Sequence, residues 1–239
     1  RTLEQAKLLG YIRVNPADAA VTPRVEKKQV ETLDAEDIGK FLAAIRGTKY
    51  EYPLFVAVFT GLRQGELLGL TWDCVDFEHG LLLINKQHNR VKGDTEFRFA
   101  SLKNDKARVL TVADEVIDVL KLQKQRQESW GAALGNGWEN PDNLVFTTEF
   151  GRYINNKILY QNFKRIAKKL GKPDLRFHDL RHTYAVNSLR AGDDIKTVQE
   201  NLGHATASFT LSTYAHATPG MKRESAKRMT AFIRSVQSV

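Results

Sequence analysis

Strand-forming sequence in this chain is concentrated between residues 72 and 112, and helical periodicity lies on both sides of it. Trp72–Phe77 and Leu81–Asn85 read as two strands joined by a turn at Glu78-His79-Gly80. Phe97–Leu102 and Ala107–Val112 read as two more, with a turn at Asn104-Asp105. Upstream, Ile38, Phe41, Leu42 and Ile45 recur at helical spacing behind the capping arrangement Asp34/Asp37. The apolar run Leu54–Phe59 predicts a buried helix entered near Pro53 and stopped at Thr60-Gly61, with a short helix over Gln64–Leu70. Downstream, Ala113–Gln127 places Val116, Val119 and Leu120 on one helical face, and Asn156–Leu170 is a basic amphipathic helix carrying Ile158, Phe163, Ile166 and Leu170. Trp130–Asn143, rich in Gly and Asn, predicts a loop, followed by a short extended segment at Leu144–Thr147. The remainder is helical with breaks at Gly192-Asp193 and Gly203. The fold expected is therefore α+β: a mainly helical domain with a small antiparallel β-sheet.

The first residues stand apart. Residues 2–12 read as the end of a helix closed near Gly10, after which Asn15-Pro16 and Pro23 interrupt regular structure and Arg24–Lys28 is polar and basic. The organisation expected is a helix end plus linker over 1–28, then one domain over 29–239 that includes a tail helix at 222–239. A start at Arg1 rather than methionine fits a piece of a longer protein. With 239 residues, 42% hydrophobic and 27% charged, the chain suits a soluble globular protein that buries its own core. A net charge of +8 favours a polyanionic partner, because neutralising phosphates releases condensed counterions; a merely basic soluble protein would carry the same excess. The single cysteine, Cys74, excludes an internal disulfide and a multi-cysteine zinc site, and fits a reducing compartment. No apolar run approaches a membrane span and the first residues do not read as a signal peptide.

Several residues can carry chemistry. His178 and Arg181, three apart in His-Asp-Leu-Arg-His-Thr, share one helical face. A guanidinium matches two phosphate oxygens and an imidazole donates to a third atom or moves a proton. Alone, that spacing also fits an ordinary polar helix surface. In Leu202-Gly203-His204 the glycine is a helix C-cap that turns His204 sharply, although a histidine after a cap is most often simply exposed. Tyr214 follows ten residues later; a helical tyrosine is usually a half-buried packing residue, and as a nucleophile it needs neighbouring cations to offset its pKa of about 10. Arg63, in Thr-Gly-Leu-Arg-Gln-Gly-Glu, opens a helix where backbone N–H groups favour an anion, and Glu66 one turn on can hold its guanidinium; a surface ion pair would look the same. Lys103 precedes the Asn104-Asp105 turn, the expected tip of a basic hairpin, with Lys106 and Lys92 as rivals. A lysine there can protonate a leaving oxygen.

In combination, Arg63, the lysine segment, His178-x-x-Arg181, Leu-Gly-His204 and Tyr214 stand in the order that tyrosine recombinases use. Thr-Gly-Leu-Arg-x-Gly-Glu and His-Asp-Leu-Arg-His-Thr resemble that family's two arginine boxes, and Thr-x-x-Thr-Tyr-x-His resembles its nucleophile segment. The resemblance covers residues 30 to 218 and is closest to the integrases of conjugative transposons and temperate phages. It implies that Tyr214 attacks the scissile phosphate to form a 3′-phosphotyrosyl link, Arg63 and Arg181 clamp the non-bridging oxygens with His204, His178 assists proton transfer, and Lys103 protonates the departing 5′ hydroxyl. Neither metal, ATP nor another cofactor is implied. Ser212 departs from the acidic residue that many relatives carry two before the tyrosine.

The resemblance also implies double-stranded DNA as substrate, a homo-tetramer on that DNA, an excisionase or DNA-bending accessory protein, and action in the bacterial cytoplasm at the nucleoid. Met229, Phe232, Ile233 and Val236 give the tail helix Lys222–Val236 an apolar stripe, which would dock either on a neighbouring protomer or on its own domain. Two other readings compete. A type IB topoisomerase would share the chemistry without exchanging partners, and a helix-turn-helix over Asp194–Tyr214 would bind DNA without cutting it.

Overall fold

The computed structural model describes residues 2–21, 31–90, 97–101 and 107–203, together with the helical positions 223, 227, 229, 230 and 234. The chain divides into two compact units, residues 1–30 and 31–239. In the first, α1 (Thr2–Leu8) runs into a 3-10 turn at Pro16–Ala19. Asn15 caps that turn, its side chain accepting from the Ala17 N–H at 3.0 Å and donating to Glu4 at 3.0 Å.

The second unit begins with α2 (Ala35–Ile45), α3 (Glu51–Thr60) and α4 (Gln64–Leu68). Asp34 caps α2 by accepting from the Asp37 N–H at 2.9 Å, as its spacing predicted. Helix α3 packs against both α5 (Asp114–Leu134) and α7 (Phe177–Ala191). Contact on two sides explains its nearly continuous apolar sequence: Leu54, Val56 and Ala57 have no exposed surface. Helix α6 (Asn156–Lys169) lays Leu159, Phe163 and Ala167 into the same core, with Phe163 edge-on to Phe41 and Phe177. Each such fully buried leucine or phenylalanine contributes about 1.5–3 kcal/mol relative to an exposed one. A smaller cluster of Ala185, Leu189, Val198 and Leu202 joins α7 to α8 (Ile195–Leu202). Among the described residues no helix is long and apolar enough to cross a membrane.

Among the described residues five strands lie between α4 and α5: β1 (Val75–Asp76), β2 (Leu81–Ile84), β3 (Lys86–Arg90), β4 (Phe97–Ser101) and β5 (Arg108–Thr111). All described pairings are antiparallel, in a three-stranded sheet ordered β1-β2-β5 and a two-stranded sheet β3-β4. Along β2, Leu82 and Ile84 point into the core and Leu83 points out, the alternation expected of a half-buried strand.

Three local expectations need correction. Trp72–Phe77 is mostly a 3-10 turn (Trp72–Cys74) leading into only two strand residues. Helix α5 continues to Leu134, through the start of the segment read as a loop. Phe97–Ser101 and Arg108–Thr111 do not pair with each other among the described residues, and the lysine segment expected as a hairpin tip lies outside those residues. Strand β4 pairs with β3, whereas β5 pairs with β2. Leu81 faces Thr111 and Lys86 faces Ser101, so five steps out along one side correspond to ten back along the other. The returning chain thus holds five residues more than its partner between Ser101 and Arg108.

Candidate active site

Helix α3 ends because Gly61 takes a left-handed φ of 63°, reversing the chain into Arg63, the N-cap of α4. The Arg63 N–H donates to Glu66 Oε2 at 3.0 Å and Arg63 Nη1 donates to Oε1 at 2.7 Å. The Glu66 side chain has no solvent exposure, while that of Arg63 keeps 30% of its own. The arginine is therefore anchored from beneath with one face toward solvent. Glycine is required at 61 on two grounds. A Cβ would meet Tyr184 Cδ1 at 2.8 Å and Leu202 Cδ2 at 2.9 Å, and the backbone is one that side chains disfavour. Gly61→Ala is expected to destabilise the fold by about 2–4 kcal/mol in denaturant unfolding, combining backbone strain with overpacking.

Helix α7 supplies the second arginine. Its start is fixed by Asp179, 1% exposed, which accepts from the Arg176 N–H and from Arg176 Nη2, both at 2.7 Å. One turn in, Thr183 Oγ1 accepts from the Leu33 N–H at 3.0 Å, tying α7 to the chain ahead of α2. Between these anchors Arg181 is 1% exposed. Its Nη1 donates to the Gly61 carbonyl at 3.0 Å and its Nη2 to the Leu202 carbonyl. A single guanidinium thus joins the turn carrying Arg63 to the end of α8.

His178 lies three residues before Arg181 and retains solvent access. Partial burial lowers its pKa, and the charges of Arg181 and then Arg63 lower it further, so both arginines act on one imidazole. The ring of His182 stands perpendicular to it, centroids 5.0 Å apart. Burial, with a smaller contribution from His178, brings His182 down to about 4, which keeps it neutral at physiological pH.

The arginine that sequence reasoning left without a role is Arg108, at the start of β5. It donates to Glu66 from Nη1 at 3.1 Å and from Nη2 at 2.8 Å, and from Nε to the Asn201 carbonyl at 2.8 Å. Burial opposes ionisation of Glu66 and is the largest single influence. Hydrogen bonding and charge from Arg108, then from Arg63, outweigh it together and hold the carboxyl at about 2. Only the basic run Lys103-Asn104-Asp105-Lys106-Ala107-Arg108 hinted at Arg108, because its partners lie 42 and 93 residues away in sequence.

Of the residues singled out from sequence, Arg63, Glu66, His178 and Arg181 are brought together. Lys103, His204 and Tyr214 lie outside the described residues, as does the apolar stripe of the tail apart from Met229, which is helical and exposed.

With that geometry in view, the likenesses to known proteins are direct. The fold is shared with the Tn1549 transposon integrase, solved in complex with a circular intermediate DNA, at a TM-score of 0.75 and 24% identity over 95% of this chain and 75% of that one. The XerA recombinase matches at a TM-score of 0.63 and 22% identity over 95% and 74% of the two chains. The profile of the phage integrase family matches residues 27–221, and the chain belongs to that family, as a tyrosine recombinase catalytic domain. Among curated relatives, a tyrosine recombinase XerC-like protein of Caldanaerobacter subterraneus subsp. tengcongensis is 33% identical over 230 residues, covering 89% of this chain and 59% of the relative. The ICEBs1 integrase of Bacillus subtilis is 26% identical over 220 residues, covering 91% of this chain and 59% of that protein. The chain therefore spans about 59% of the length of these two relatives.

Proposed function

We propose that this chain is the catalytic part of a site-specific DNA recombinase that cleaves and rejoins strands through a 3′-phosphotyrosyl intermediate, integrating or excising a mobile element. The observation that carries this reading is the Arg181 guanidinium bound to the Gly61 carbonyl, two residues from Arg63, with His178 sensing both charges. Two rigidly held cations beside a hydrogen-bonding imidazole suit a phosphodiester whose negative charge grows in the transition state.

In the reaction, the Tyr214 oxygen bonds to phosphorus as the bond to the 5′ oxygen breaks. Arg63 and Arg181 bind the non-bridging oxygens with His204. His178 takes part in moving the tyrosine proton, and Lys103 gives a proton to the departing 5′ oxygen. The phosphodiester energy is kept in the phosphotyrosyl bond, so attack by a 5′ hydroxyl of the same or another strand reseals the DNA. The partner is double-stranded DNA, drawn by the net charge of +8 and by the exposed Lys157, Arg165, Lys168 and Lys169 along α6. Residues 1–28 belong to the end of a core-binding-type helical domain and its linker. The working assembly is a homo-tetramer, helped by an excisionase or DNA-bending protein.

Incubation with nicked suicide duplexes drawn from a randomised pool tests this. The expected product is a protein–DNA adduct that survives denaturation, and its recovered sequences define the site. Two intact duplexes bearing that site then exchange strands. Absence of any adduct would sink the enzymatic reading, and resealing without exchange would make the protein a topoisomerase.

A further inference from the structure

We infer that Arg108 is a positioning residue of this site, holding Arg63 through Glu66 and holding the end of α8 through the Asn201 carbonyl. The inference rests on the proposed strand-transfer chemistry and adds to it a residue outside the two arginine boxes.

The geometry is that of a fork. Arg108 Nη1 and Nη2 meet the two oxygens of Glu66 separately, at 3.1 and 2.8 Å, and the same oxygens receive Arg63 Nη1 and the Arg63 N–H. Both Glu66 oxygens are therefore shared between the two arginines, and the carboxylate cannot rotate without losing both. The Arg108 side chain is 9% exposed and that of Glu66 0%. Burying such a pair contributes little to stability compared with apolar residues of equal volume. What it contributes is location. Arg108 is five residues after Lys103, Glu66 lies on the helix that Arg63 caps, and Asn201 is three residues before His204. The turn beyond α8 lies directly on the fork: a Cβ at Gly203 would stand 3.1 Å from both Arg108 Cδ and Nη1. One carboxylate between two guanidinium groups also leaves a net positive charge in place for a phosphate.

Arg108→Met keeps the aliphatic stem and removes the fork. The groups around Glu66 are Arg63 and Arg108, with Lys86 and Cys74 across the small gap they line together. With Arg108 gone, burial is opposed by Arg63 alone, and the Glu66 carboxyl, followed by its carbon-13 resonance, is expected to titrate at least roughly two pH units higher than in the wild type. Adduct formation on nicked duplexes selected by the wild type should fall about 100-fold. It should also gain an acid limb that follows the titration of Glu66, since a protonated Glu66 no longer orients Arg63. The limb should be absent from the wild type and from Arg108→Met/Glu66→Gln. Arg108→Lys restores charge without the fork; it should lack the limb and still fall about ten-fold short of the wild type.

A loss of rate in Arg108→Met with a pH profile parallel to that of the wild type, or a Glu66 carboxyl that does not move, would overturn the inference in favour of simple packing. If Arg108→Met does not fold, Arg108→Lys decides, and wild-type rates there would overturn it. A wild type that forms no adduct removes the strand-transfer reading, and the carboxyl titration still scores the Arg108–Glu66 link.

Discussion

Arg181→Ala is expected to slow formation of the covalent DNA adduct by about three orders of magnitude, the scale for removing a preorganised donor from a developing oxyanion. The effect is this large because Arg181 acts twice. In the proposed reaction it presents positive charge to the phosphate, and its fixed contacts with the Gly61 and Leu202 carbonyls set where that charge sits. Being 1% exposed, it has little freedom to be replaced by a neighbour. Truncation also removes donors from two carbonyls, costing about 1–3 kcal/mol for each one left unmet, so thermal unfolding should fall alongside the rate. Arg181→Lys separates the two contributions, keeping the charge without reaching both carbonyls. DNA affinity should change only a few-fold, since phosphate contacts spread over the surface dominate binding. Single-turnover rates on nicked duplexes, with melting curves for each variant, check this; an alanine variant within about three-fold of wild type would remove Arg181 from the chemistry.

Tyr214→Phe should abolish the adduct altogether while leaving DNA binding intact, because the change removes one oxygen and little else. A phenol with a pKa of about 10 is a poor nucleophile at neutral pH, and in the proposed reaction the two arginines overcome this by offsetting charge on the phosphate it attacks. Tyr184 is the necessary control. Its ring lies against the Gly61 position and its hydroxyl accepts from Asn201 Nδ2 at 3.0 Å, so it touches the site. Burial pushes that hydroxyl's pKa up, which suits packing rather than attack. Tyr184→Phe should therefore still form the adduct. A denaturing gel reads both variants, and adduct persisting in Tyr214→Phe would transfer the nucleophilic role elsewhere.

How much of this the amino-acid order disclosed follows the range of the forces involved. Helix α2 and its Asp34 cap, the glycine stops at 61, 192 and 203, and β2 were legible because each depends on neighbours within a few residues. Strand β3, Lys-Gln-His-Asn-Arg, has no apolar alternation to betray it and is defined by pairing with β4. The continuation of α5 was hidden by Gly131 and by polar residues. Its glutamines are held by distant carbonyls, Gln123 donating to Val145 at 2.9 Å and Gln127 to Leu144 at 3.1 Å. The partners of β4 and β5 were not legible, because local turn propensity says nothing of which strand lies alongside. Within the site, Arg63 and Glu66 were readable as a pair three apart, as were His178 and Arg181. Their convergence was not, since it runs through Gly61, 120 residues from Arg181 in sequence.

The extra stretch between Ser101 and Arg108 has an evolutionary corollary. Both flanking ladders hold their own registers, so residues can be gained or lost there without forcing either sheet to slip. Under the proposed mechanism, a change in chain length around Lys103 would therefore leave the arginines held by Glu66 and the Gly61 carbonyl where they are.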